Sequence, residues 1–323
     1  MTPSIPAEIQ GPQTWKRDGL TPGDWLVALP DDGVAELHAV VERLRTDPRP
    51  VERLAPEDFD LATCARVMAT VCRRLGEIGL AVVDRVPVER YSAPENQAIG
   101  WLLASMLGPL VAQTWAGRRL YDVKDTGQSL GYGVRRSVTD LGQPFHTDAG
   151  WLWMPPAFVG LFCLESAPDG GLSRFVSLVT THNEMAKRVP ELLGRLYRPF
   201  AWDRQAEHAP DAPTFARQPV FEDKDGTLMA RYYEDYIHNG QQLAGEPLDA
   251  AGREALLALR GIVDDPGHWV EFRIERGQLQ YINNRQFAHS RTAFKDATDG
   301  SRHRHMVRLW NRSEGTLDLD GGA

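Results

Sequence analysis

Two histidines and one aspartate have the types and spacing of a metal site. His146 and Asp148 lie two residues apart in the segment FHTD at 145–148, directly after a Gly-Gln-Pro turn. Side chains alternate between the faces of an extended chain, so these two point to the same side and can bind one ion. His289 follows a strand-like run at 278–284 and is the best candidate for a third ligand. Two imidazoles and one carboxylate on one face leave positions open for a co-substrate and oxygen, which is the arrangement used in non-haem Fe(II) oxygenase chemistry.

The same ligands also suit other functions, and an isolated H-x-D pair is a weak signal because such pairs often arise by chance. A zinc-dependent hydrolase can use two histidines and one carboxylate. It predicts a general-base glutamate near the metal, but the sequence contains no H-E-x-x-H segment. A non-catalytic jelly-roll binding module, whose cluster only ties strands together, is a third hypothesis. The other histidines considered are interpreted as surface or helix-capping residues: His182, His208, His238, His268, His303 and His305.

Composition and charge exclude several classes of protein. The 323 residues are 42% hydrophobic and 25% charged, as in a globular protein, and suit two domains or one large β-barrel enzyme. A net charge of -8 repels phosphate backbones and anionic membranes, so nucleic acid and membrane partners are not expected. No segment resembles a signal peptide or a membrane span. The three cysteines, Cys64, Cys72 and Cys163, show no C-x-x-C spacing, which favours a reducing, cytoplasmic location.

The elements that must position the candidate ligands change in type along the chain. Residues 1–55 are interpreted as an N-terminal extension that wraps the core, and 56–323 as a single catalytic domain. Apolar residues at three- and four-residue steps predict helices over 61–78 and 95–107, and a short amphipathic run spans Val34 to Leu44. The β-branched run at 80–88 is typical of a buried strand. From about residue 115 short strands dominate, with helices at 182–197 and 248–262, which predicts a β-barrel or sandwich with helical insertions.

Three blocks of sequence, in the same order, resemble one enzyme family. They are FHTDAGW at 145–151, GGLSRFVS at 170–177, and the segment 281–311 with its NN-x-x-x-x-HSRTAF and R-H-x-x-RLW motifs. Together they closely resemble the taurine dioxygenase and clavaminate synthase-like group (TauD/TfdA) of Fe(II)/2-oxoglutarate oxygenases, from about residue 65 to 311. The resemblance implies a mainly β fold with α-helices: a double-stranded β-helix, or jelly-roll, flanked by helices, with a helical insertion between the two metal-binding blocks.

The resemblance also implies roles for five residues. The iron triad falls on His146, Asp148 and His289. The arginine that binds the distal carboxylate of 2-oxoglutarate falls on Arg304, and its hydroxyl partner, usually threonine, on Ser173. A planar guanidinium suits a carboxylate because it binds in a bidentate manner and stays charged.

Arg308 is the competing assignment for the carboxylate-binding arginine. If 302–310 is a strand, Arg304 and Arg308 share a face about 13 Å apart at ~3.3 Å per residue, so they cannot easily hold the same carboxylate. Arg304 is therefore preferred. Arg308 becomes a candidate for binding a substrate anion or for closing the barrel.

Residues that contact the substrate are less constrained by the sequence. Tyr132, Arg135 and Arg136 precede the metal-binding strand and Trp151 and Trp153 follow it, so some of them are expected to border the open face of the metal. Tyr132, Trp151 and Arg308 are the candidate substrate contacts. The RYYED run at 231–235 is either part of a lid or a solvated charge run.

The implied reaction requires Fe(II), 2-oxoglutarate and O2 and releases succinate and CO2. It oxidises, and by default hydroxylates, an unactivated C–H bond of a small molecule such as an amino acid or a natural-product intermediate. Taurine itself is not implied, because no full sulfonate-binding set is found. The sequence predicts no particular oligomeric state.

Overall fold

The computed structural model describes residues 8–322, which contain eight α-helices and sixteen strands. The helices are α1 Pro22–Trp25, α2 Asp31–Thr46, α3 Ala62–Glu77, α4 Ala93–Ser105, α5 Leu178–Arg188, α6 Pro190–Leu196, α7 Glu234–Ala244 and α8 Ala250–Val263. The strands are β1 Leu26–Ala28, β2 Leu80–Asp84, β3 Leu120–Val123, β4 Gln143–His146, β5 Phe158–Glu165, β6 Asp169–Gly170, β7 Ser173–Ser177, β8 Phe200–Asp203, β9 Phe215–Gln218, β10 Phe221–Lys224, β11 Thr227–Ala230, β12 Trp269–Phe272, β13 Leu279–Asn283, β14 Phe287–Arg291, β15 Phe294–Lys295 and β16 His305–Asn311.

Two main sheets form the centre of the fold. The larger has the strand order β1-β2-β13-β5-β16-β3 and the smaller the order β12-β7-β14-β4. All neighbouring strands in them are antiparallel except β1 and β2. A cavity whose walls come from both sheets shows that the sheets face each other. The predicted jelly-roll with flanking helices is confirmed.

Helices α2, α3 and α4 cover one face of the larger sheet. Their apolar residues Leu37, Met68 and Leu102 form one buried cluster with Phe162 and Tyr281 of the sheet. The stripe that predicts a helix over 61–78 corresponds to α3, and the run from Val34 to Leu44 lies in α2. After α3 the chain turns at Gly79, whose φ of +73° and close contact with the Phe287 ring exclude a side chain.

Residues 8–55 contribute strand β1 and helices α1 and α2 to this arrangement. Strand β1 pairs in parallel with β2 at the edge of the larger sheet. The Trp15 indole donates a hydrogen bond to the Ile78 carbonyl over 2.8 Å, and Trp25 stacks on Phe272. None of the helices described is long and apolar enough to cross a bilayer.

The insertion between the metal-binding blocks differs from its prediction in three ways. The helix expected over 182–197 is two helices, because Pro190 lacks the N–H that would continue α5 and instead begins α6. The interpretation of His182 as a surface or capping residue is wrong, since it lies inside α5, fully buried, with Nε2 2.8 Å from the Tyr197 hydroxyl. Helix α7 is not predicted, because its buried face holds only Ile237 and Gly240.

Helix α7 packs unusually close to strand β8, and this contact positions one wall of the site described below. At Gly240 an added Cβ would lie 2.5 Å from the backbone of Ala201 and Trp202. Glycine is therefore required for this close approach. As a consequence, Tyr236 on α7 and Asp203 at the end of β8 line the same cavity.

Candidate active site

Three ligand groups converge where β4 and β14 pair. His146 ends β4, Asp148 follows two residues later, and His289 lies opposite His146 in the ladder. Nε2 of His146 lies 3.3 Å from Oδ1 of Asp148, and Nε2 of His289 lies 3.9 Å from the same oxygen. Two atoms that bind one ion at about 2.1 Å and at right angles are about 3 Å apart, so this spacing fits a single ion. Within residues 8–322 no other three such side chains come as close together.

Hydrogen bonds and burial prepare both imidazoles as neutral ligands. Nδ1 of His146 lies 2.9 Å from the Pro144 carbonyl and donates to it, which leaves the Nε2 lone pair on the side of Asp148. That lone pair accepts a hydrogen bond from the Gln143 amide. Burial lowers the pKa of His289 to about 3. A neutral imidazole is the form that binds a metal.

Asp148 is fixed so that one oxygen faces the imidazoles. Its backbone N–H donates to Oδ1 of Asn284 over 2.7 Å. Its Oδ2 accepts from the Trp310 indole over 2.8 Å and from Nη1 of Arg308 over 3.1 Å. Burial alone would raise the pKa of Asp148, but the positive charge of the adjacent Arg308 outweighs it and lowers this pKa well below its ordinary value. The carboxylate is therefore ionised, as a metal ligand must be.

The Trp310→Phe variant should bind Fe(II) about 10- to 100-fold more weakly than the wild type, because the hydrogen bond that orients Asp148 is lost. Anaerobic titration with Fe(II) measures this affinity. Trp151→Phe is the matched control, since Trp151 borders the same metal site but its indole N–H has no partner among the described residues. Equal affinities in the two variants would contradict the orienting role of Trp310.

A central cavity extends from the triad between the two sheets. Strands β4, β7 and β14 form one wall, and β3, β5, β13 and β16 form the other. Of thirteen buried side-chain polar atoms without a hydrogen-bond partner in the described chain, six belong to residues lining this cavity. Each unpaired group costs about 1–3 kcal/mol, so their concentration here indicates a polar ligand rich in acceptors. The six are Ser137 Oγ, Gln280 Nε2, His289 Nδ1, Arg291 Nε, Arg304 Nη1 and Arg308 Nη2.

Arg304 and Ser173 both line this central cavity. Arg304 is 2% exposed, and its Nη2 contacts the sulfur of Met306 at 3.1 Å. No carboxylate among the described residues forms an ion pair with it, and its Nη1 has no partner. Burial lowers the pKa of Arg304 to about 10, so it remains a cation at neutral pH. A buried cation without a counter-ion is costly, and an anionic ligand would compensate it.

Arg291 is a further buried guanidinium in the central cavity, and the sequence analysis gives it no role. It lies two residues after His289 on β14, opposite Ser173 in the ladder. Its Nη2 donates to the carbonyls of Thr139 and Leu141. Burial, with a contribution from Arg304, lowers the pKa of Arg291 to about 9. Its position inside the HSRTAF motif is the only sequence feature that could have marked Arg291 as a site residue.

Arg308 lies beside the metal ligands and has partners that Arg304 does not share. Its Nη1 pairs with Asp148, and its Nε donates to Oε1 of Gln113 over 2.8 Å. The Gln113 amide in turn donates to the backbone carbonyl of Arg308 over 2.8 Å. This geometry supports different roles for the two arginines. Gln113 stands alone in a loop, and nothing in the local sequence marks it.

The candidate substrate residues lie at different depths. Trp151 is buried in an inner pocket together with His146, Asp148 and Arg308. Tyr132 is 59% exposed and lines an outer cavity of about 510 Å³.

The other residues considered for the substrate site also differ in whether they line a cavity and which one. Arg135 and Arg136 border the inner pocket, but each is paired, with Glu207 at 2.6 Å and Asp235 at 3.3 Å. Trp153 is 60% exposed and lines neither cavity. The 231–235 run is mixed, since Tyr233 and Asp235 line the outer cavity whereas Arg231 is buried against Glu222.

Comparison with known proteins identifies relatives over most of the chain. FR-33289 synthase of Streptomyces rubellomurinus is 28% identical over 94% of this chain and 89% of its own length. Among solved structures, an asparagine oxygenase in complex with Fe(II), 3-hydroxyasparagine and succinate superposes with a TM-score of 0.70 at 21% identity, covering 91% of this chain and 94% of that one. The non-heme iron oxygenase OrfP in complex with Fe, succinate and (3S)-hydroxy-L-Arg gives 0.66 at 15% identity, covering 91% and 95%. These two structures confirm the fold.

The family model described as "Taurine catabolism dioxygenase TauD, TfdA family" matches residues 46–310. This range includes all three metal-ligand candidates as well as Arg304 and Arg308. The predicted resemblance and the predicted enzyme class, a 2-oxoglutarate-dependent non-haem iron dioxygenase, are thereby confirmed. The chain belongs to the TauD/TfdA family of dioxygenases.

Proposed function

We propose that this enzyme hydroxylates an unactivated C–H bond of a small molecule that carries an anionic group, such as an amino acid or a natural-product intermediate. The observation that supports this most is the set of unpaired buried donors in the central cavity, which begins at the His-Asp-His triad. A hydrolase needs no such set, because its water nucleophile needs no carboxylate-binding arginine. The donor set instead fits a keto-diacid beside the metal.

The residues present fit Fe(II) and 2-oxoglutarate. Nε2 of His146, Oδ1 of Asp148 and Nε2 of His289 would hold the ion. Bound there, Fe(II) supplies the oxidation of a C–H bond by O2 at the expense of 2-oxoglutarate, with release of succinate and CO2. Arg304 and Ser173 bind the distal carboxylate of the co-substrate, and the two facing sheets exclude water from it.

Arg308 is proposed to bind an anionic group of the primary substrate. Its Nη1 pairs with Asp148 and its Nε donates to Gln113, but its Nη2 is buried without a partner among the described residues. Arg308 lines both the central cavity and the inner pocket. The free Nη2 of this fixed guanidinium can donate a charge-assisted hydrogen bond to an anionic oxygen. Trp151 forms part of the apolar wall next to it.

The relatives support this substrate class. The asparagine oxygenase and OrfP structures contain hydroxylated amino acids, and FR-33289 synthase is named for a product that it makes. Amino acids are therefore the first compounds to test, followed by sulfonates and other small anions.

The wild-type enzyme with Fe(II), O2 and 2-oxoglutarate is expected to form succinate in equal amount to a product that has gained one oxygen atom. Succinate and product are measured across a panel of amino acids, sulfonates and biosynthetic intermediates. Enzyme without added Fe(II) is the control. A protein that forms no succinate with any member of the panel, but hydrolyses an ester or amide with Zn²⁺, would contradict the proposal and favour the hydrolase.

A further inference from the structure

The outer cavity continues outward from the metal site. Arg136, Tyr233 and Tyr236 line both the outer cavity and the inner pocket that contains His146 and Asp148. Tyr236 lines the inner pocket together with Asp148 and the outer cavity together with Asp203, so its side chain lies between the two carboxylates. A substrate whose reacting carbon lies at the metal would therefore extend past Tyr236 toward Asp203.

The charged residues of the outer cavity leave one negative charge without a counter-ion. Arg136 and Asp235 compensate each other, because Nη2 and Oδ2 lie 3.3 Å apart. Asp203 is 2% exposed, and among the described residues it forms no salt bridge. Its carboxylate accepts hydrogen bonds only from neutral donors: the Gln205 backbone at 2.7 Å, the Gln205 side chain at 2.5 Å and the Asn239 side chain at 3.4 Å.

Neutral donors satisfy part of the hydrogen-bonding capacity of Asp203 but do not cancel its charge. A carboxylate has about four lone-pair sites, and three donors are present, one of them at long range. A buried charge without an opposite charge is costly, and its field is strong where water is excluded.

The aromatic wall of the outer cavity also suits a positively charged group. Tyr233 and Tyr236 are stacked with ring centroids 4.0 Å apart, and both line the cavity. Aromatic faces attract cations. The aromatic wall and the unbalanced carboxylate thus independently favour a positively charged ligand group.

We propose that the outer cavity binds a cationic nitrogen group of the substrate, an ammonium or a guanidinium, at Asp203. This inference rests on the proposed function, since it names the class of substrate for the same site. With Arg308 near the metal and Asp203 in the outer cavity, the substrate is a zwitterion whose anionic group lies nearer to the metal than its cationic side-chain end.

Matched pairs of compounds test the proposal without turnover. Calorimetric titration of the anaerobic Fe(II)·2-oxoglutarate protein compares L-arginine with L-citrulline, and L-lysine with L-norleucine. Arginine and citrulline are nearly isosteric and differ in charge, and norleucine is lysine without its terminal ammonium group. In the wild type the cationic member should bind about 10- to 100-fold more tightly, as expected for a charge-assisted hydrogen bond. Asp203→Asn should remove this preference, and the charge-preserving Asp203→Glu should retain part of it.

Asp211→Asn is the matched control, because it removes one negative charge from an exposed position that does not line the cavity. It should keep the wild-type preference. The proposal is wrong if neither cationic compound binds more tightly than its neutral partner, or if a folded Asp203→Asn protein keeps the preference. Binding of 2-oxoglutarate, measured separately before any amine is added, distinguishes this outcome from failure of the proposed function, which would instead abolish co-substrate binding in the wild type.

Discussion

The His289→Ala variant is expected to bind Fe(II) more than a hundredfold more weakly than the wild type and to lose measurable succinate formation at equimolar Fe(II). Only His146 and Asp148 would remain as ligands, and within residues 8–322 no other such group comes close enough to replace the third. Loss of a residue that only orients a ligand already costs about 10- to 100-fold in metal affinity, so loss of a ligand costs more. Anaerobic titration with Fe(II) measures the affinity, and a coupled succinate assay measures turnover.

His182→Ala is the matched control for this experiment. His182 is also buried, but it contacts Tyr197 in the helical insertion and is not part of the triad. The control should lower the melting temperature without changing the affinity for Fe(II). If His289→Ala keeps wild-type affinity, the triad is not the metal site.

The second large effect is expected for Arg304→Ala, which should weaken 2-oxoglutarate binding by about two to three orders of magnitude. A bidentate, charge-assisted pair of hydrogen bonds is worth about 3–4 kcal/mol, and the variant loses both bonds. The affinity is measured by titrating 2-oxoglutarate into the anaerobic Fe(II) protein. Arg304→Lys, which keeps the charge but not the planar fork, should give an intermediate value.

Thermal unfolding adds a readout that separates binding from folding. Without 2-oxoglutarate the Arg304→Ala protein should be no less stable than the wild type, because the removed cation is buried without a counter-ion. With 2-oxoglutarate only the wild type should gain stability, since a ligand stabilises the folded state that binds it. Arg302→Ala is the neighbouring control, because Arg302 pairs with Glu165 outside the cavity. A similar loss of 2-oxoglutarate affinity in both variants would argue against a specific role for Arg304.

The metal ligands were accessible to sequence analysis because their signal is local. His146 and Asp148 lie two residues apart in the sequence, and an extended chain with that spacing would place them on one face. In the structure His146 is the last residue of β4 and Asp148 lies in the turn that follows. Local spacing does not identify His289 as a ligand, because its position opposite His146 depends on the register of β14 with β4. The family resemblance supplied that long-range information.

The residues that support the ligands were not accessible in the same way. Gln113 holds Arg308 across 195 residues of sequence, and Asn284 holds Asp148 across 136 residues. Gln113 is an isolated glutamine in a loop, with no periodicity that would distinguish it from a solvated residue. Asn284 belongs to the NN-x-x-x-x-HSRTAF motif, but the motif does not indicate which group its side chain holds. Their roles follow only from tertiary packing.

The same limit applies to the outer cavity. Its wall depends on α7, whose narrow buried face escapes a search for apolar periodicity, and on Gly240, which allows the close approach to β8. Asp203 ends a strand whose four residues are all buried, a position where an apolar residue would be expected. The role of a carboxylate at such a position can be inferred only from the cavity that it lines.

The most direct test of the central claim is anaerobic addition of 2-oxoglutarate to the purified protein loaded with one equivalent of Fe(II), followed by visible absorption. If the triad and the central cavity form one site, a weak charge-transfer band develops and saturates at one 2-oxoglutarate per chain. An Fe(II)-loaded protein that stays colourless at saturating 2-oxoglutarate would contradict the assignment of this cavity to the co-substrate.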